Sequence, residues 1–231
     1  MKYQILLISG LLYCASACAA SNHNPDDNTT NAAPQQAIDT TSATDTLQSE
    51  KTAEPENTYK EVSYPTPNYA RDKVNDVRGV ILHHTAEPTV ERSLAVLTSK
   101  EKGVGTHVVI DTDGTRYIMC APTVVTYHAG YSILAGREGC NQFTIGIEFQ
   151  GNTLEKPLTD DQIASAIEYL RPIIHQYGIP VENIVTHEMV RNAYKKKYPN
   201  KRISGKVDIT PTEYKRVMKE FKSKLYNMPA Q

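Results

Sequence analysis

The sequence predicts an α/β fold, a mixed central β-sheet flanked by helices, in one domain that follows a long segment with no core of its own. Three observations carry this. Strand-like apolar runs occur at 77–83, 106–110, 115–119, 143–149 and 184–186. They are interspersed with helical periodicity at 89–99, from 159 and from 210, as expected for a sheet covered by helices. Between residues 21 and 58, by contrast, Ile38 and Leu47 are the only large apolar side chains. The 231 residues suit one globular domain plus appendages, since two domains would each be short of a core. No Trp and 3 Phe stand against 14 Tyr, so the interior is expected to be aliphatic with Tyr at its edges.

At the start of the chain, Lys2, the stretch Ile5-Leu6-Leu7-Ile8 with Leu11-Leu12, and small residues from Ala15 to Ala20 have the layout of a secretory signal. No apolar run reaches the length of a membrane-spanning helix. Two cleavage readings stand: Ala17-Cys18-Ala19 offers an ordinary small-x-small site, and Ala15-Ser16-Ala17-Cys18 resembles a lipobox that would lipidate Cys18. The expected boundaries are a signal at 1–17, a tether at 18–58 and a folded domain at 59–231. The tether carries seven acids against the single Lys51, cannot bury enough surface to offset its ordering entropy, and is expected to be disordered. As a flexible chain it would span roughly 35 Å. The expected location is the cell envelope or periplasm, anchored to the outer membrane through Cys18 if lipidated and otherwise secreted.

The formal net charge of -1 argues weakly against a dedicated nucleic-acid binder. Beyond residue 58, 23 Lys and Arg face 19 Asp and Glu, a mild basic excess that suits an anionic partner such as a cell-wall polymer. Four cysteines in a chain this long make no disulfide scaffold. Cys120 and Cys140 either pair or remain thiols.

Each element has its own signal. Residues 77–83 form a buried apolar run, and 89–99 place Val90, Leu94 and Leu97 on one helical face. Asp113-Gly114 between two apolar runs is a hairpin signal. Residues 143–149 alternate as a strand. Thr159 with Gln162 is a capping box that opens a helix whose core face is Ile163, Ala166, Ile167, Leu170, Ile173, Ile174 and Tyr177. Pro172 is expected to kink it. Ile184-Val185-Thr186 is a short strand, and Thr210-Pro211-Thr212-Glu213 caps a last helix. The Lys- and Arg-rich stretch between residues 187 and 208 reads as a long loop.

The chemistry gathers where strands end, at His83-His84, Glu148 and His187. Two histidines and an acid so placed can converge on one edge of a sheet, although a single satisfied core histidine is common. A zinc site needs a third ligand near His187. Between Met189 and Val207 there is no Asp, Glu, His or Cys, which leaves Asp208 as the downstream candidate short of Glu213. His107, in mid-strand beside the hairpin, reads as structural.

Ile81-Leu82-His83-His84-Thr85-Ala86, Tyr127-His128-Ala129-Gly130, Ile145-Gly146-Ile147-Glu148, Thr186-His187 and Lys206-Val207-Asp208 follow one another in that order. Together they resemble the zinc-dependent type 2 N-acetylmuramoyl-L-alanine amidases, relatives of phage amidase lysozymes and peptidoglycan recognition proteins. The resemblance covers about 77–221 and implies a peptidoglycan recognition protein-like single domain. It makes His83, His187 and Asp208 the ligands of one Zn2+ per chain, with a fourth position open to water. Glu148 would be the general base and acid, Lys206 the oxyanion stabiliser, and His128, Thr106 and Arg191 substrate-binding residues. The implied substrate is peptidoglycan or muropeptide, cut between N-acetylmuramic acid and L-alanine by a monomer with no nucleic-acid partner.

The sequence departs from the family at Thr106, where many members carry a catalytic Tyr, and in the length of the segment from His187 to Asp208. Arg191, Lys195, Lys196, Lys197, Lys201 and Arg202 in that segment could grip stem-peptide carboxylates or form a solvated face. Two rival readings are a non-catalytic peptidoglycan-binding module of the same fold and a hydrolase using Cys120 or Cys140 as nucleophile.

Overall fold

The computed structural model describes residues 58–203 and 208–228. The signal at 1–17, the tether at 18–58 except Thr58, and Lys206 lie outside the described residues. In chain order the elements are β1 (Glu61–Ser63), β2 (Tyr69–Val74), β3 (Gly79–His84), α1 (Val90–Thr98), β4 (Val108–Ile110), β5 (Arg116–Ile118) and β6 (Val124–Thr126). They continue with β7 (Ile133–Leu134), β8 (Arg137–Glu138), β9 (Thr144–Phe149), α2 (Asp160–Tyr177), β10 (Ile184–Thr186), α3 (His187–Lys197) and α4 (Pro211–Tyr226).

Six strands form the main sheet in the order β1-β5-β4-β9-β3-β10. It is mixed as expected: β10–β3, β3–β9, β9–β4 and β1–β5 run parallel, and the β4–β5 hairpin is antiparallel. The hairpin turns at Gly114, whose φ of 83° is a left-handed conformation that glycine adopts without strain. β2 and β6 form a separate antiparallel pair, as do β7 and β8. These short, polar or irregular strands had no clear alternation to announce them.

Strand periodicity decides which side chains meet. Val80, Leu82, Val108, Ile110, Ile145, Ile147 and Phe149 point into one core, with the apolar faces of α2 and α4. Fully burying an aliphatic side chain contributes about 1.5–3 kcal/mol, so this layer is the main source of cohesion. The alternate positions face the other way: Ile81 and Val185 pack with Val190 of α3, and Val109 packs with Leu94 and Leu97 of α1. His83 and Glu148 follow the parity of Ile81 and Val109, so the site lies on the α1–α3 face. His84 takes the opposite face, where its Nδ1 accepts from the Thr153 backbone N–H at 3.1 Å.

The capping box of α2 is formed on both sides, and the helix runs unbroken through Pro172. Thr210 caps α4 and Pro211 opens it. Glu213, however, does not reach back to the cap. Its carboxylate accepts from the Leu158 backbone N–H at 3.3 Å and from Arg216 at 2.8 Å, and so ties α4 to the start of α2. Arg116, fully buried in β5, bridges Glu61 of β1 at 2.9 Å and Glu168 of α2 at 2.8 Å.

The expected loop after His187 is instead the eleven-residue helix α3. Thr186 caps it by accepting from the Met189 N–H at 3.3 Å, and Val190, Arg191 and Tyr194 are buried along it. The strand therefore passes straight into a helix, with the cap residue belonging to both.

Candidate metal and catalytic site

His83 is the penultimate residue of β3, His187 opens α3 directly beyond β10, and Asp208 lies two residues before the Thr210 cap of α4. Since β10 and β3 are adjacent parallel strands, both histidines emerge at the same edge of the sheet. The Thr210 N–H donates to the Thr153 hydroxyl at 3.1 Å, which fixes the turn carrying Asp208 beside them. Asp208 Oδ2 lies 2.8 Å from His187 Nδ1, and Oδ1 lies 3.6 Å from His83 Nδ1. One donor atom from each of the three residues falls within 4.8 Å of the others. His83 and Asp208 are almost completely shielded, at 2% and 1% exposure, and His187 is half-buried.

Burial pushes the Asp208 carboxyl up, but the hydrogen bonds and positive field of His187 and His83 outweigh it and hold it well below the usual carboxylate range. A buried carboxylate kept ionised between two imidazoles is a donor set that fits a divalent cation. Two nitrogens and one oxygen leave coordination positions open, as a catalytic metal requires.

A cavity of about 280 Å³ opens over these groups, lined by His83, His187 and Asp208 together with His128, Glu148 and Glu87. Glu148 stands on β9 directly opposite His83 in the parallel register. His128 Nδ1 lies 3.2 Å from His83 Nε2, and its Nε2 lies 3.3 Å from the Thr144 hydroxyl. Burial, and then the neighbouring His83, His107 and His187, hold the His128 pKa well below the ordinary histidine value. The Asn141 carboxamide oxygen accepts from the backbone N–H groups of His128 at 3.1 Å and Ala129 at 2.7 Å, which pins the loop. Nothing in the sequence around Asn141 signals that role.

Gly146 allows this arrangement. A Cβ there would sit 2.7 Å from the His128 ring and 2.9 Å from the Thr106 hydroxyl. Gly146→Ala should therefore displace the His128 ring and destabilise the domain by about 1–3 kcal/mol. A denaturant midpoint equal to that of the natural sequence would show that the ring gives way freely.

The other expected residues separate. Thr106 is fully buried against Gly146 and does not line the cavity. Arg191 lies on α3 at 5% exposure and lines an adjoining cavity. His107 is structural, as read: Nδ1 accepts from the Gly146 N–H at 3.0 Å and Nε2 donates to the Val124 carbonyl at 2.9 Å. Burial pushes its pKa down to about 4. Cys120 and Cys140 are free thiols and line no part of the site. Burial pushes Cys120 up to about 11 and also raises Cys140, the opposite of what a thiolate nucleophile needs.

The N-acetylmuramoyl-L-alanine amidase family, Amidase_2, matches residues 73–202. The chain belongs to this family. The match includes His83, Glu148 and His187 but ends before Asp208. Among curated proteins the chain is similar to 1,6-anhydro-N-acetylmuramyl-L-alanine amidase AmpD of Haemophilus influenzae (strain ATCC 51907 / DSM 11121 / KW20 / Rd). That match is 39% identical over 87 residues, 36% of this chain and 46% of the relative. It is also 41% identical over 61 residues to AmpD of Enterobacter cloacae, 26% of this chain and 32% of the relative. The chain thus spans about half the length, or less, of the curated relatives it matches. Among solved structures, a selenomethionine derivative of AmpD superposes with a TM-score of 0.50 at 21% identity, covering 69% of this chain and 93% of that one. This likeness supports the mixed sheet flanked by helices.

These relatives overturn one expectation. The curated relatives that the chain matches are AmpD amidases and not exported lipoproteins, so the export and outer-membrane anchoring expected from the first eighteen residues are corrected. No helix among the described residues is long and apolar enough to cross a membrane.

Proposed function

We propose that residues 59–231 form a monomeric, zinc-dependent amidase domain that hydrolyses the bond between the lactyl group of N-acetylmuramic acid and the L-alanine of a muropeptide. The observation that carries this reading is the convergence of His83, His187 and Asp208 beside Glu148 in one cavity, in a chain of the amidase family.

His83, His187 and Asp208 would hold one Zn2+. When bound, zinc supplies Lewis acidity, which polarises a carbonyl and lowers the pKa of water toward about 7. The chain's own groups do the rest. Asp208, ionised and nearly inaccessible, would offer its carboxylate as the oxygen donor beside the two imidazoles. The Glu148 carboxylate takes the proton of the attacking water and passes it to the departing alanine nitrogen. His128, kept neutral by burial, orients His83 and lines the cavity without adding a second positive charge. Lys206, two residues before Asp208 in the chain, is the proposed cation for the developing oxyanion.

Mass spectrometry of muropeptides after incubation tests this. The expected products are free stem peptide together with N-acetylmuramic acid from the intact form or 1,6-anhydro-N-acetylmuramic acid from the anhydro form. Both should disappear with a chelator and return with added zinc. Products that persist through chelation would remove the metal from the reaction, and binding without any product would leave a recognition module.

A further inference from the structure

We infer that His84 is a positioning residue for Asp208: acting through the Thr153 hydroxyl, it fixes where the third donor of the metal cluster stands. This rests on the metal reading proposed above. The two adjacent histidines of β3 then divide the work, because successive side chains of a strand point to opposite faces of the sheet. His83 lines the cavity, and His84 turns to the other face at 1% exposure.

The hydrogen bonds run in one consistent direction. The Thr153 backbone N–H donates to His84 Nδ1 at 3.1 Å, so that nitrogen carries a lone pair and the ring proton is on Nε2. The Thr153 hydroxyl lies 2.9 Å from the same nitrogen and accepts the Thr210 N–H at 3.1 Å. Its single proton therefore points at His84, which turns its oxygen toward Thr210. Thr210 is the cap of α4, and Asp208 stands two residues before it. Ile209, between them, is buried at 1% exposure. Apolar burial sets how deep the turn sits but is not directional, whereas a hydrogen bond is.

Both ends of this link are held. His84 pairs with Phe149 in the β3–β9 ladder. The turn carrying Thr153 is closed by Asn152, whose backbone carbonyl accepts from the Glu155 and Lys156 N–H groups at 2.9 and 3.0 Å. Its side-chain oxygen accepts from the Leu154 N–H at 3.1 Å. The same segment is tied to the end of β3, since the Ala86 N–H donates to the Gly151 carbonyl at 2.8 Å and the Gly151 N–H to the Thr85 hydroxyl at 3.2 Å. Thr153 is thus a post between the strand that bears His83 and the turn that bears Asp208. A shared ion needs the carboxylate at one distance from both imidazoles, and this post refers that distance to β3.

Zinc affinity of the full-length chain, measured by competition with a chromogenic chelator, tests this alongside thermal melting of the metal-free and zinc-loaded forms. Thr153→Val replaces the hydroxyl with a methyl of similar size and keeps the N–H bond to His84. Its Kd for zinc should rise about tenfold or more, the usual cost of losing an outer partner of a metal ligand, and Thr153→Ser should restore affinity. His84→Leu should weaken zinc binding similarly, whereas His84→Asn, which offers an oxygen near the place of Nδ1, should recover most of it. A purely architectural role would lower both melting temperatures alike and leave Kd unchanged, while lost positioning narrows the gap between them. Natural zinc affinity in folded Thr153→Val or folded His84→Leu overturns the inference. A His84→Leu chain that fails to fold leaves the Thr153 pair to decide. If the natural sequence takes up no zinc, the metal reading fails by itself, and the metal-free chain decides this one through the His187 Nδ1–H, which faces Asp208 Oδ2 at 2.8 Å. Loss of that hydrogen-bonded proton resonance in Thr153→Val supports the link, and its persistence overturns it.

Discussion

Asp208→Ala should give a folded, zinc-poor and inactive chain. The carboxylate contributes one of three donors that lie within 4.8 Å of one another, and its removal leaves two imidazoles whose ring centres are 5.0 Å apart. Two histidines alone rarely retain zinc against solvent, whereas three protein ligands are the catalytic norm. The fold should persist, since the core between the sheet and helices α2 and α4 is formed by neighbouring Ile209 and other apolar side chains rather than by Asp208. Binding of muropeptide should fall only in part, because the wall formed by α3 is untouched. Metal analysis with circular dichroism on the purified variant checks this. Retention of about one zinc per chain, the occupancy of a complete three-ligand site, would sink the assignment and require a different third ligand.

Most of the sheet was legible, as was the cluster of His83, His187 and Asp208 that could hold a metal, because their signals are local and strong. The parity of Ile81, Leu82 and His83 sets which histidine enters the site, and the apolar runs on β3 and β9 suit strands with neighbours on both sides. Thr159 and Thr210 announced their helices by cap chemistry. Asp208 followed from elimination along one acid-free stretch. Helix α3 was missed for a physical reason. Its three consecutive lysines are poor evidence for packing, and its cap is the last residue of a strand. The i, i+3, i+4, i+7 series of His187, Val190, Arg191 and Tyr194 was nonetheless present, and it would have placed Arg191 on the same face as His187. Thr106 differs: correspondence to a position where many members carry Tyr does not fix which way a shorter hydroxyl faces, and here it is sealed against Gly146. The role of Asn141 depends on a loop closing back over twelve and thirteen residues, a contact that no sequence spacing specifies.

Glu148→Ala should reduce turnover on muropeptide by about a hundredfold to ten-thousandfold, the usual weight of general acid–base catalysis, while leaving zinc content unchanged. The separation of these two readouts is what makes the variant informative. Glu148 lines the metal cavity but is not part of the three-donor cluster. It stands across the β3–β9 ladder from His83, so its backbone is held by a fully paired central strand and its loss should not loosen the ligands. The residue is only partly buried and lines the cavity, although its Oε2 is itself shielded. Glu148→Gln refines the test, because it keeps size and hydrogen bonding but cannot accept the proton. A base should lose comparable activity in both variants, whereas a residue that merely props the site open should be rescued by Gln. Near-natural turnover in Glu148→Gln with full metal occupancy would remove Glu148 from the proton transfers and leave the cavity without an assigned base.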